Sequence, residues 1–113
     1  MPGLVEQVEA GDLSSEATLG LIRQYVEPLL ARGADTLVLG CTHYPFLRAA
    51  IQAVVGADVT LIDTGAAVAR QLKRVLGEAR GTGQTTFWST DLGVAPVMQA
   101  LWREPVGVAL LHV

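Results

Sequence analysis

The stretch Thr36-Leu37-Val38-Leu39-Gly40-Cys41-Thr42-His43-Tyr44-Pro45 decides how the rest of this chain is read. Its opening residues form a short, continuous apolar run bounded by turn residues, the pattern of a strand buried on both faces in a parallel sheet. The run ends at Gly40. Pro45 suits the first turn of a following helix, because its missing N–H would have had no partner there. Leu47, Ala50, Ile51 and Val54 then share one helical stripe, which Gly56 closes.

Upstream, the spacing predicts a helix over residues 15–32. Ser14 offers a cap, Leu19, Ile22, Val26, Leu29 and Leu30 recur at helical intervals, Pro28 introduces a kink and Gly33 supplies the stop. Downstream the strand–helix cycle repeats. Val59–Ile62 reads as a strand, Val68, Leu72, Val75 and Leu76 as a helix stripe, and Thr85–Trp88 as another strand. Val94, Val97, Met98 and Leu101 mark a last helix, and Val106–Val113 a final strand. Strands and helices alternating across such short connections predict right-handed crossovers and an α/β fold, a mainly parallel sheet with flanking helices. Only Gly81–Gln84 resembles a linker, and the sequence contains no repeat.

With 113 residues, half of them apolar, the chain is long enough for one packed core and too short for two. No apolar run approaches the roughly 18 residues a membrane-spanning helix needs, and the amino terminus has no basic stretch leading into an apolar signal core, so the expected location is cytoplasmic. The net charge of -3 comes with no basic stripe, which argues against a nucleic-acid partner. The single cysteine, Cys41, cannot form an internal disulfide and has no companion at zinc spacing.

By composition alone Cys41 is a buried small hydrophobe, since free cysteines are among the most buried residues. Its position favours a reactive thiol instead. Ligands of open α/β sheets sit beyond the carboxyl ends of the strands, which is where Cys41 falls. The helix beginning near Pro45 would present free N–H groups and positive dipole to a thiolate or carboxylate there, and Gly40 would let a ligand approach the backbone. Thr42 adds a hydroxyl, and His43 a proton donor or acceptor. A Cys-x-His pair has too few ligands for a zinc site, so no metal is expected; a Cys-His acyl-transfer pair would lack an identifiable orienting Asn or oxyanion loop. Asp63-Thr64-Gly65, at the end of a strand, could help bind substrate but reads first as a turn capping the next helix; His112 reads as a surface or edge residue, and Trp88 and Trp102 as packing residues. Arg70, Lys73, Arg74, Glu78 and Arg80 read as a solvated helix face.

Leu37 to Pro45 also resembles the second cysteine motif of glutamate racemases, within the wider aspartate/glutamate racemase family. The similarity runs from Pro2-Gly3-Leu4-Val5-Glu6-Gln7-Val8-Glu9 through the helix ending near Gly33, the motif, and Leu61-Ile62-Asp63-Thr64-Gly65, weakening to pattern after about residue 80. The resemblance implies an incomplete portion of a two-domain architecture. Residues 1–80 would belong to the racemase domain bearing the second catalytic cysteine, and residues 81–113 would form a strand–helix–strand segment packing with the absent amino-terminal half. It implies cofactor-independent, two-base interconversion of L- and D-glutamate for peptidoglycan synthesis, with Cys41 as one acid/base thiol. His43 would be catalytic and contact substrate, Thr42 would contact substrate, and Glu9 matches an acidic residue that helps position the histidine.

The family's Asp-Ser-Gly and Ala-Cys-Asn-Thr segments do not occur here, and a member should be more than twice this length, so the expectation is a fragment or truncated reading frame with little or no racemase activity. The expected partner is a small-molecule amino acid; homo-oligomerisation and pairing with the missing half are both left open. The alternatives are an aspartate or hydantoin racemase of the same family, or a non-catalytic remnant serving as an interaction module.

Overall fold

The computed structural model describes residues 1–78 and 81–112. Arg80 of the expected solvated face and Val113 of the expected last strand lie outside the described residues. The chain forms two compact units, Met1–Val75 and Leu76–Val113.

The first unit begins with a helix that the apolar spacing did not announce, α1 over Leu4–Glu9, burying Leu4 and Val8 one turn apart. Gly3 precedes it in the left-handed region at φ 89°, and a Cβ there would also press on the Leu21 side chain at 3.2 Å. Helix α2 spans Glu16–Leu30 with Pro28 inside it. Its cap is Ser15 rather than Ser14: the Ser15 hydroxyl accepts from the Thr18 N–H at 3.2 Å, while the Asp12 carboxylate accepts from the N–H groups of both serines. Ile22 and Val26 are its buried apolar positions.

Strand β1 is Thr36–Leu39, and β2 is Thr60–Asp63. They pair in parallel, Thr36 opposite Thr60 and Leu39 opposite Asp63, as a crossover through a helix requires. That helix opens with a 3-10 turn over Tyr44–Leu47, which carries Pro45 in its first turn, and continues as α3 over Arg48–Val55 until Gly56, at φ 83°, ends it. The core lies on one side of the two strands, where Leu39 and Leu61 meet Leu4, Ile22, Leu47 and Ile51. The other side is open. Val38 and Ile62, paired in register, are 64% and 47% exposed, which corrects the expectation of a strand buried on both faces. The apolar run was read rightly as a strand; nothing in this unit covers its second face.

Helix α4, Gly65–Leu76, forms where its stripe predicts, yet Val68, Leu72, Val75 and Leu76 are all exposed. In the second unit, β3 (Phe87–Ser89) and β4 (Val108–Leu110) pair in parallel, with α5 (Ala95–Trp102) between them in sequence. Both strands are shorter than expected, and His112 lies exposed beyond β4. Trp102 meets Phe87 edge to face, ring centroids 5.2 Å apart, in keeping with a packing role, whereas Trp88 is exposed on its short strand, which corrects the expectation that it packs. Each unit thus holds a two-stranded parallel sheet, β1 with β2 in the first and β3 with β4 in the second.

Candidate functional site

Leu39 is the last residue of β1 and is buried, so it fixes where the chain leaves the sheet. Gly40 and Cys41 follow at the carboxyl end of the strand. Cys41 is half-buried, neither sealed in the core nor fully in solvent. His43 takes the cap position of the 3-10 turn, and its carbonyl accepts from the Phe46 N–H at 3.1 Å. That turn holds the imidazole back toward the thiol. The Cys41 Sγ lies 4.0 Å from His43 Nδ1, and the Thr42 hydroxyl lies 3.3 Å from the same nitrogen.

The far side of the ring is also engaged. His43 Nε2 stands 3.3 Å from a Glu9 carboxylate oxygen at the end of α1. The carboxylate can only accept, so the contact is an ion pair when the imidazole is protonated. On the other side Nδ1 accepts from the thiol or the Thr42 hydroxyl when it is bare, and donates when it carries the proton. Glu9 and Cys41 thus flank the ring on opposite sides. The structure brings together all four residues singled out in the sequence, Cys41, Thr42, His43 and Glu9, with Glu9 on a helix that the sequence reading had left unassigned.

Tyr44, next in the chain, reaches the Met1 carbonyl with its hydroxyl at 3.4 Å. Its phenol is pushed above the ordinary tyrosine value by burial first, and then by the neighbouring Cys41, Tyr25 and Glu6.

Cys41 opens onto a cleft of about 590 Å³. One wall is the loop Gly40-Cys41-Thr42 with Pro45; the other is Thr64, Gly65 and the first turns of α4 through Val68 and Leu72. A Cβ placed on Gly40 would meet nothing within 4 Å, so this glycine leaves space rather than relieving a clash. Asp63-Thr64-Gly65 caps α4 as expected, the Asp63 carboxylate accepting from the Gly65 N–H at 3.2 Å, and Thr64 and Gly65 also line the second wall of the cleft. The sequence reading ranked a site role for this segment second to capping, and it missed Arg48. Arg48 Nη1 donates to Asp63 at 3.0 Å and Nη2 to the Leu61 carbonyl at 2.9 Å, a contact between residues 15 and 13 positions apart that no local pattern signals. Among the described residues, no three His, Cys, Asp or Glu side chains gather where a metal ion could be held.

The family model for Asp/Glu/Hydantoin racemase matches residues 2–72. A glutamate racemase of Pseudomonas entomophila is 61% identical over 110 residues, covering 91% of this chain and 42% of that protein. Among solved structures, glutamate racemase isoform RacE1 of Bacillus anthracis superposes with a TM-score of 0.81 at 26% identity, over 99% of this chain and 45% of that one. The Thermus thermophilus glutamate racemase, solved with beta-chloro-D-alanine, gives 0.76 at 32% identity, over 99% and 46%. The chain spans less than half the length of these relatives, and what it spans is a parallel α/β portion of their architecture. The matched residues hold β1, β2, the Cys41–His43 loop and both walls of the cleft: this chain belongs to the Asp/Glu/Hydantoin racemase family.

Proposed function

We propose that this chain is part of a glutamate racemase and supplies one of its two acid/base thiols, Cys41. The observation that carries the reading is the line of Cys41, His43 and Glu9, with 4.0 Å from thiol to imidazole and 3.3 Å from imidazole to carboxylate. As thiolate, Cys41 takes the α-proton of the amino acid: the C–H bond breaks, its electron pair stays on the α-carbon and spreads toward the carboxylate, and an S–H bond forms. Proton delivery from the opposite face completes the inversion. Cys41 is the only cysteine among these 113 residues, so the second thiol lies outside them. His43, oriented by Glu9, holds or returns the thiol's proton, and Thr42 offers its hydroxyl to the substrate. The reaction so written uses no cofactor.

Glutamate is favoured over aspartate and hydantoins by the 61% identity to a glutamate racemase. On this reading the product is D-glutamate for peptidoglycan, made in the cytoplasm. Residues 1–80 serve the domain of the second cysteine, and residues 81–113 pack with the amino-terminal half. The test is exchange of the α-proton with deuterated water, followed by proton NMR on each enantiomer of glutamate, with aspartate and hydantoins as comparators. The chain alone should racemise glutamate little or not at all, yet exchange one enantiomer slowly. Cys41→Ser should abolish that exchange and His43→Ala should slow it by about a hundredfold. Exchange indifferent to both substitutions would remove Cys41 from the mechanism, and faster exchange of aspartate or a hydantoin would move the substrate.

A second reading is a non-catalytic remnant that binds another subunit. The exposed apolar stripe of α4 favours it, and complete absence of exchange would select it.

A further inference from the structure

Arg48 is the first residue of α3, directly after the 3-10 turn that His43 caps, and it spends its guanidinium on the end of β2, next to the Thr64-Gly65 wall of the cleft. The contact is a fork, Nη1 to the Asp63 carboxylate at 3.0 Å and Nη2 to the Leu61 carbonyl at 2.9 Å. The Leu61 carbonyl sits on the free edge of β2: the Thr60 N–H points to β1, where it reaches the Asp35 carbonyl, so the groups of the next residue point away. Asp63 in turn spends its other oxygen on the Gly65 N–H at the start of α4. A single chain of bonds therefore runs from the helix behind the Cys41 loop, across the end of β2, to the turn that forms the facing wall.

We propose that Arg48 is a positioning residue of the Cys41 cleft, acting through Asp63 to hold the Thr64-Gly65 turn against the cysteine loop and to cancel the Asp63 charge beside it. Asp63 stands opposite Leu39 in the strand register, and Leu39 is only two residues from Cys41. An uncompensated carboxylate there, one residue before the Thr64-Gly65 wall, would repel a thiolate or a substrate carboxylate in the cleft. Paired with Arg48, it caps α4 and leaves the cleft open to anions. The other charged or titratable groups around the thiol, His43, Tyr44 and Glu9, approach from the α1 and loop side, so none of them substitutes for Arg48 on the β2 side.

The significance of this clamp for catalysis rests on the racemase reading, but its test does not need turnover. Cys41 is the only thiol, so its alkylation in the purified chain can be timed with anionic iodoacetate and neutral iodoacetamide at one pH. The ratio of the two rates reports the charge of the cleft, whereas a change in thiol exposure or thiolate fraction alters both rates together. Arg48→Ala should lower the iodoacetate-to-iodoacetamide ratio about twofold to threefold, and Asp63→Asn should raise it by a similar factor, as expected for one unit charge at cleft distance in a largely aqueous setting. Arg48→Lys should retain most of the native ratio, because the charge survives while the fork is lost. An unchanged ratio in Arg48→Ala with native far-UV circular dichroism would overturn the proposal. If that variant does not fold, an unchanged or lowered ratio in Asp63→Asn overturns it equally. A shifted ratio in a chain that exchanges no α-proton would leave the clamp standing and the racemase reading refuted; the converse outcome would do the reverse.

Discussion

Glu9 leaves 65% of its side chain in solvent, and that exposure limits what its pairing with His43 contributes. Exposed ion pairs are worth about 0 to 1 kcal/mol, or at most about a fivefold effect on a rate that depends on them. Glu9→Gln keeps an acceptor for the Nε2 proton and removes the charge. It should therefore slow alkylation of Cys41 by iodoacetamide at neutral pH by no more than about fivefold, with His43→Ala slowing it further. A loss as large for Glu9→Gln as for His43→Ala would mean that the carboxylate acts on the thiol directly rather than through the ring.

The start of α2 shows how a few polar residues set an element boundary. The Asp12 carboxyl is held below its ordinary value of 3.8, first by the Ser15 hydroxyl and then by the Ser15 N–H, with smaller help from Ser14 and Thr18. Because the native value lies below the unfolded one, this contribution to stability is complete above the unfolded value and is lost as the pH falls through the native one. Ser15→Ala should cost about 1 kcal/mol near neutral pH by urea unfolding, and the difference from the native chain should shrink when the same titration is run in acid, below the unfolded value. A difference that grew on acidification would show that Asp12 is not the acceptor that matters. Ser14, the residue nearer the sequence-based expectation, loses to Ser15 because Asp12 turns the chain so that only the Ser15 hydroxyl meets the Thr18 N–H.

Across the Met1–Val75 unit the apolar residues divide between a filled face and an open one. Ile51 is fully buried against the inner face of the strands, so Ile51→Ala should destabilise the chain by about 2 to 4 kcal/mol in urea. Val38 belongs to an equally apolar strand but points outward and is 64% exposed, so Val38→Ala should change stability by less than about 0.5 kcal/mol. Equal losses for the two would show that the outer face is covered in solution. The Val68, Leu72 and Val75 stripe of α4 lies exposed in the same unit, so its amphipathic pattern specifies a helix without specifying, within these residues, what the helix packs on.

The local sequence determined most of the elements and marked out the Cys41 loop. The apolar run at Thr36–Leu39, the helical stripes, Gly56 as a stop and the Cys41-Thr42-His43 cluster were legible because each depends on neighbours a few residues apart. The tertiary structure decided what depends on distant partners. It made a helix of Leu4–Glu9, a segment too short for its two buried residues to announce a period, and so carried Glu9 to His43 across 34 positions. It placed Thr64 and Gly65 in a wall of the Cys41 cleft, and it joined Arg48 to Asp63 beside them. It also left one face of β1 and β2 uncovered, because a pattern of apolar residues records that a surface needs burial while the segment that buries it must come from elsewhere in the fold.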